Sequence, residues 1–233
     1  MIDGELLELR NAAKAKPGFL EITTSLLVDL VYCSLSFDSD RIKKEDVVQV
    51  LTTKTDTIDP SMIQIVNNQK NAFLRAITMA QENIPMDENQ LKDLHQIMME
   101  GFSEVGGLYR NVDISLSYSS HTPPSYIKVY DRMNKYFDYT ATEPTKDVFE
   151  YISYCHLQLA KIHPFLDGNG RLARLILNYH LMRKGFLPIL INKDRRREYF
   201  ENLEEFKVNK NINPFILYLK ALEHEQLTQF LAL

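Results

Sequence analysis

HPFLDGNGRLAR, residues 163–174, is the stretch from which both the fold and the chemistry of this 233-residue chain can be worked out. Pro164 disfavours helical backbone at His163, so a preceding helix is predicted to end there and to present the imidazole beside a loop. The Gly-Asn-Gly run at 168–170 leads directly into another helix, whose first N–H groups suit an anion such as phosphate. The stretch therefore predicts a helix–loop–helix unit with a base next to an anion site.

The charged side chains of the same stretch point to a nucleotide. Arg171 and Arg174 are three residues apart and share a face of the first helical turn, where two guanidinium groups can hold phosphate oxygens. Asp167 at the loop edge can bind a Mg²⁺ ion that also contacts phosphates. His163, with an ordinary imidazole pKa of about 6.5, suits a general base at neutral pH. Each pattern alone is typical of a turn or a solvated surface, but together they favour a nucleotide phosphate site.

Composition excludes several classes of protein. The chain is 45% hydrophobic and 25% charged, with a formal net charge of −4, as in ordinary globular proteins and unlike a basic nucleic-acid-coating surface. No apolar run approaches the ~20 residues that a membrane span needs. We therefore expect no nucleic-acid or membrane partner and a cytoplasmic location. Cys33 and Cys155 lie in apolar runs and are predicted to be buried free thiols.

Apolar periodicity and a low glycine content predict an all-α fold, a single compact helical domain with one small β-hairpin. Val112, Ile114 and Leu116 alternate with polar residues, and residues 126–129 alternate again after two prolines. After a short N-terminal helix that stops at Pro17, the predicted helices are 21–37, 45–51, 61–82, 88–102, 145–161 with Thr145 as its cap, 169 or 170 to 184, 194–207 and 213–230.

Residues 163–174 also match, at every fixed position, the signature HPFx[D/E]GNGRxxR of the Fic (filamentation induced by cAMP) family, which this chain resembles. The resemblance extends to residues 107–110 and 123–124 upstream and to 199–200 and 214–215 downstream. It implies a Fic-type helical domain. The implied organisation is an N-terminal helical region at 1–87, a Fic core at 88–220 and a helix end at 221–233.

The resemblance implies an ATP-dependent nucleotidyltransferase, a protein adenylyltransferase that moves AMP from ATP to a Ser, Thr or Tyr hydroxyl of a target protein or of itself and releases pyrophosphate. His163 would deprotonate the hydroxyl, and Asp167 would hold Mg²⁺. Tyr199 aligns with an aromatic residue on the adenine side, although a core tyrosine is an equal alternative. Lys207 stands where some relatives carry an asparagine near the adenine. The implied phosphate ligands are Gly168, Asn169, Gly170, Arg171 and Arg174.

The predicted hairpin at 112–129 resembles the family's flap, a hairpin whose edge pairs with an extended segment of the target protein. Ile114, Leu116 and Ile127 are the expected docking residues. A hairpin that merely covers the core is the alternative. Homo-oligomerisation and the identity of the target stay open.

Many Fic proteins carry an inhibitory helix with the pattern [S/T]xxxE[G/N], whose glutamate pairs with the second arginine of the signature. Ser34 and Asp38 have this spacing, but aspartate replaces the glutamate and Ser39 replaces the small residue. Because aspartate is one methylene shorter, we expect it to reach Arg174 less well and to inhibit weakly. The alternative is that Asp38 only ends a helix.

Other functions of the same fold are a kinase, a phosphocholine transferase, an enzyme that removes AMP, and a non-enzymatic, toxin-like regulatory module. The intact GNGR run argues against the kinase. His163 and Asp167 argue against a module without chemistry. Replacement of the inhibitory glutamate argues against AMP removal, which depends on it in the family.

Overall fold

A computed structural model of the chain describes residues 2–53, 58–116 and 119–233, with side chains from Gly4 onward. The described residues form α-helices, loops and two short 3-10 turns, with no β-strand among them, which confirms the all-α prediction. The helices are α1 (Ile2–Lys14), α2 (Thr24–Ser36), α3 (Lys44–Thr52), α4 (Pro60–Gln81), α5 (Glu88–Met99), α6 (Val129–Thr142), α7 (Val148–Ile162), α8 (Asn169–Arg183), α9 (Arg196–Asn209) and α10 (Asn213–Ala232).

Helix α8 lies at the centre of the molecule. Nearly all of its residues are buried, because its apolar side chains run around the whole circumference rather than along one stripe. Helices α2, α4, α5 and α7 pack against it. The N-terminus of α8 is therefore held by several helices at once, at the point where the Gly-Asn-Gly run begins.

Two predicted helix starts are confirmed by their hydrogen bonds. Asp59 accepts from the backbone N–H of Ser61 at 2.8 Å and opens α4. Asp87 accepts from the N–H of Gln90 at 2.8 Å and opens α5. Each carboxylate satisfies a donor that the helix itself leaves unpaired.

The start of α7 is shifted from its prediction. Asp147, not Thr145, caps the helix and accepts from the N–H groups of Phe149 at 2.9 Å and Glu150 at 3.2 Å. The Thr145 hydroxyl instead donates to the Glu150 carboxylate at 2.7 Å. Both residue types are good caps, and only the path of the chain decides between them.

The predicted second strand of the hairpin is wrong. Tyr126–Lys128 is a 3-10 turn, and Val129 begins α6, a helix that the sequence analysis missed. The Asp113 carboxylate accepts the N–H of Tyr126 at 2.7 Å and so starts this turn. Val129, Met133 and Tyr136 recur at helical spacing and are buried, and this burial outweighs the short alternation at 126–129.

The residues that precede this turn form two irregular arms, a first arm at 111–116 and a second arm at 119–125. Ser117 and Tyr118, which belong to the predicted hairpin loop, lie outside the described residues. None of the helices in the described ranges combines the length and the apolar character of a membrane span.

Candidate functional site

One cavity of about 580 Å³ brings together most of the predicted site residues, and its volume is typical of a pocket for a small ligand. The loop after α7, the first turn of α8, the end of α2, one face of α9 and both arms contribute to its walls. The predicted residues that line it are Leu116, His163, Asp167, Gly168, Asn169, Gly170, Arg171, Arg174, Tyr199 and Asp38.

His163 terminates α7 in the left-handed conformation, with φ 52° and ψ 63°. Pro164 disfavours a continued helix at His163, and a left-handed residue is a common way for a helix to end. Its Nδ1 lies 3.4 Å from the carbonyl oxygen of Ala160. Burial disfavours the imidazolium and lowers the pKa of His163 to about 4, and the positive charges of Lys207 and Arg110 act in the same direction. The ring is therefore neutral at pH 7, and with Nδ1 directed at a carbonyl, Nε2 is left to accept a proton.

The first turn of α8 depends on Gly168. Its φ is 74°, in the left-handed region that side chains disfavour, and an added Cβ would lie 2.9 Å from the sulfur of Met99. The Gly168 N–H donates to the carboxylate of Asp167 at 2.7 Å. This one backbone donor at the start of α8 thus binds a carboxylate, the kind of group that a helix N-terminus favours.

Asn169 closes the loop with its side chain. The amide oxygen accepts from the N–H of Phe165 and the amide nitrogen donates to the Phe165 carbonyl, both at 2.9 Å, and the residue is 2% exposed. This side chain is therefore engaged within the loop. The Asn169 group left for an anion is the backbone N–H in the first turn of α8.

His95 of α5 supports the same loop, and the sequence analysis did not single it out. Its ring stacks on Phe165 with centroids 3.7 Å apart and an interplanar angle of 9°. The N–H of Gly107 donates to Nδ1 at 2.9 Å, so Nε2 carries the proton and donates to the Asp167 carbonyl at 3.0 Å. Burial lowers the pKa of His95 to about 4, which keeps this tautomer neutral.

Arg174 is held by the end of α2. One of its nitrogens donates to the Asp38 carboxylate at 2.7 Å and to the Ser34 carbonyl at 2.9 Å, while its guanidinium lies 4.4 Å from the ring centre of Phe37. The expectation that aspartate would reach Arg174 poorly is wrong. Asp38 follows directly after the C-cap Phe37, and its N–H still bonds to Leu35, so the last turn continues and carries the carboxylate back towards α8.

Arg171, in contrast, is bound weakly. Its guanidinium lies 3.7 Å from the Asp167 carboxylate and 3.5 Å from the sulfur of Met99. Asp167 is itself 78% exposed at the side chain, so this contact is screened by solvent. A bound phosphate can therefore compete with Asp167 for the Arg171 guanidinium, which is 12% exposed.

Asp167 fits a hydrated divalent cation. Its side chain is open to solvent, and Mg²⁺ is usually bound by one or two carboxylates together with substrate phosphates and water. Within the described ranges, no group of three or more His, Cys, Asp or Glu side chains could hold a metal ion, at Asp167 or at any other position. The donor set suits an ion that arrives with a nucleotide rather than a permanent structural metal.

The aromatic side of the cavity differs from the prediction for Tyr199. This residue is 1% exposed, and its hydroxyl forms a 3.0 Å hydrogen bond with Nε2 of buried His156, so most of it belongs to the core. Phe200, which is 40% exposed, offers a larger aromatic surface to the cavity. Lys207 lines the same α9 face, and burial lowers its pKa.

The arms border the cavity without a β-ladder. Leu116 lines it together with Ser115 and Ser119. The Glu204 carboxylate of α9 accepts from the Ser119 hydroxyl at 2.6 Å and thereby fixes the second arm. Ile114 is half-buried, and Ile127 is 75% exposed on the 3-10 turn and does not line the cavity.

Relatives of known name match the central part of the chain. Residues 85–181 match the family model described as "Fic/DOC family". The protein adenylyltransferase Fic of Nematostella vectensis is 29% identical over 158 residues, which is 66% of this chain and 36% of that protein. The protein adenylyltransferase fic-1 of Caenorhabditis elegans is 28% identical over 150 residues, 63% of this chain and 29% of that protein. The chain thus spans about a third of the length of these relatives.

Solved structures share the fold over nearly the whole chain. A Fic domain containing signaling protein from Bacteroides thetaiotaomicron superposes with a TM-score of 0.85 at 19% identity and covers 97% of this chain and 96% of its own. Fic-1 from C. elegans gives a TM-score of 0.82 at 20% identity, covering 99% of this chain and 71% of its own. The HPFLDGNGRLAR loop lies inside both the matched sequence and the shared fold: residues 85–181 match the Fic/DOC family, and the chain as a whole has the fold of the solved Fic structures.

Proposed function

We propose that this protein is a protein adenylyltransferase, which transfers AMP from ATP to a Ser, Thr or Tyr hydroxyl of a target protein or of itself. One observation carries the proposal: a neutral histidine, His163, opens into the same 580 Å³ cavity as the anion-binding start of α8. A base and a phosphate site within one pocket are what phosphoryl-type transfer to a hydroxyl requires.

The geometry supports the following reaction. The triphosphate binds over the first turn of α8, where the backbone N–H groups of residues 168–170 and the side chains of Arg171 and Arg174 offset its charge. Nε2 of His163 accepts the proton of the target hydroxyl while the oxygen of that hydroxyl forms a bond to the α-phosphorus of ATP. The bond from the α-phosphorus to the bridging oxygen breaks, and pyrophosphate leaves with that electron pair.

The protein's part in this reaction is mainly positioning and charge stabilisation. Asp167 would hold Mg²⁺, which when bound offsets the charge on the phosphates. Phe200 and the α9 face offer the apolar wall that an adenine ring needs, with Tyr199 behind it. The Arg171 guanidinium is available to the phosphates because it lies 3.7 Å from the Asp167 carboxylate, which is itself open to solvent.

The names of the relatives support the activity, since the Nematostella and Caenorhabditis proteins are both protein adenylyltransferases. The structure of IbpAFic2 covalently tethered to Cdc42 has a TM-score of 0.61 with this chain at 15% identity, covering 96% of this chain and 70% of its own. That complex supports a protein as the acceptor. For this chain we propose that the acceptor docks along the arms, beside Ile114 and Leu116, while Ile127 contacts it farther from the cavity.

We further propose that α2 is an inhibitory helix. The Asp38 carboxylate uses a donor of Arg174 that would otherwise bind the terminal phosphates, and it places a negative charge in the cavity. Inhibition is expected to be incomplete, because the Asp38 side chain is 43% exposed and its pairing is partly screened. Ser34 contributes its backbone carbonyl, while its buried hydroxyl has no hydrogen-bond partner in the part of the chain that the structure describes.

The deciding experiment uses ATP labelled at the α or the γ position, with purified protein and with cell lysate. Label from the α position on protein, absent with His163→Ala, supports AMP transfer. Label from the γ position alone would identify a kinase instead, and unchanged α-labelling by His163→Ala would refute the role of the base. Mass spectrometry of the labelled band then identifies the acceptor residue.

A further inference from the structure

Arg110 connects the arms to the catalytic loop through an unusual set of partners. Its Nε donates to the carbonyl of His163 at 2.9 Å, one terminal nitrogen donates to the carbonyl of Val112 at 2.9 Å, and the other donates to the carbonyl of Pro124. The backbone N–H of Arg110 also donates to the Pro164 carbonyl at 2.9 Å. One residue thus holds the first arm, the second arm and the loop that carries the base.

This guanidinium is not held mainly by an ion pair. Its side chain is fully buried, and the Asp113 carboxylate, which lies 3.9 Å away, is 65% exposed. Burying a cation is costly unless its donors are satisfied, and burial lowers the pKa of Arg110. Each of the three guanidinium nitrogens donates to a backbone carbonyl, one in the His163 loop and one in each arm. Only a planar group with several N–H donors can reach these three carbonyls at once.

The far side of the second arm has its own anchor. Ser119 and Ser120 are bound by Glu204 of α9, whereas Pro124, at the other end of this arm, is bound by Arg110. With both anchors intact, Ser115, Leu116 and Ser119 line the cavity that contains His163. Loss of the Arg110 guanidinium would release Val112 of the first arm and Pro124 of the second arm from the His163 loop. The hydrogen bonds between the second arm and Glu204 would stay in place.

We propose that Arg110 is a positioning residue that sets the arms, and any polypeptide docked on them, at a fixed distance from the imidazole of His163. This inference rests on the proposed transfer to a protein hydroxyl. We expect Arg110 to act in the transfer step and not in nucleotide binding, because its side chain donates to the carbonyls of His163, Val112 and Pro124, none of which belongs to the first turn of α8. A misplacement of about 1 Å at a reacting centre is enough to cost roughly a hundredfold in rate.

The test compares Arg110→Lys with Arg132→Lys, the same replacement at an exposed position of α6. Lysine keeps the positive charge but has one nitrogen, which cannot reach three carbonyls. We expect Arg110→Lys to slow single-turnover self-modification by about ten- to a hundredfold. Binding of a non-hydrolysable ATP analogue, measured by calorimetry, should change less than about twofold, and hydrogen exchange should speed up in both arms but not in α8. Arg132→Lys should match the wild type in all three measurements.

Two results would overturn the inference. One is a wild-type transfer rate in Arg110→Lys. The other is a parallel loss of transfer, nucleotide binding and melting temperature, which a purely structural residue would produce. If the wild-type protein itself transfers no label, the proposed function fails, and hydrogen exchange still decides whether Arg110 restrains the arms. Arg110→Met serves as a second variant, and where it does not fold, the lysine variant decides.

Discussion

Replacing Asp38 with asparagine should make the protein bind ATP more tightly and modify itself faster. The change removes the negative charge that pairs with Arg174 and preserves the shape of the side chain. In the unliganded protein the Asp38 carboxylate occupies one arginine donor at 2.7 Å, and a bound triphosphate would have to displace it. Asp38→Asn therefore destabilises the inhibited form, in which Asp38 pairs with Arg174.

The size of the effect follows from the contact. A hydrogen bond between charged groups contributes about 1.5–3 kcal/mol. Arg174 is 6% exposed at the side chain but Asp38 is 43% exposed, so solvent screening reduces this to roughly 1–2 kcal/mol. Asparagine can still accept a neutral hydrogen bond, which retains about 0.5 kcal/mol and leaves a net change of about 0.5–1.5 kcal/mol, or roughly two- to tenfold in ATP affinity.

The assay is calorimetric titration with a non-hydrolysable ATP analogue, accompanied by self-modification rates with α-labelled ATP. Asp40→Asn is the matched control, because Asp40 lies two residues farther on, pairs with Lys193 and does not line the cavity. A gain in affinity and rate below about twofold for Asp38→Asn, or an equal gain for Asp40→Asn, would refute inhibition by the Asp38–Arg174 pair.

Three further predictions concern the base, the loop and the core. Because the pKa of His163 is lowered to about 4, kcat/KM for the transfer should stay constant as the pH falls from 7 to 5, and an acid limb near pH 6.5 would contradict this. Gly168→Ala should destabilise the protein by about 1–2 kcal/mol in urea unfolding and weaken ATP binding, because alanine is strained at φ 74°. Gly4→Ala is the control: Gly4 lies in a helix with open space around it, so this change should be neutral or stabilising. His180 is buried, neither of its ring nitrogens has a hydrogen-bond partner among the described residues, and burial lowers its pKa to about 3. Because the unfolded chain binds a proton near pH 6.5, the stability is complete above pH 6.5 and is lost as the pH falls towards 3. His180→Phe should reduce that loss by up to about 1.4 kcal/mol per pH unit, and an unchanged slope between pH 6 and pH 4 would refute it.

The errors of the sequence analysis share one cause. Alternation at 126–129 indicated a strand, but the burial of Val129, Met133 and Tyr136 against the core selected a helix. A strand needs a hydrogen-bonded neighbour, and alternation over four residues does not supply one. The cap of α7 failed in the same way, because Thr145 and Asp147 are both suitable and the tertiary path of the chain chose between them.

Local chemistry was sufficient to predict the helix–loop–helix unit, its helix ends and the resemblance to the Fic family, because the proline, the glycines and the signature all lie within residues 163–174. Only the tertiary structure decided which distant groups meet there. Asp38 reaches Arg174 across 136 residues, His95 supports Asp167 across 72, and Arg110 reaches His163 across 53. Such contacts depend on how α2, α5 and α7 pack around α8, and helix packing is set by buried surface summed over the whole chain, which no short window of sequence contains.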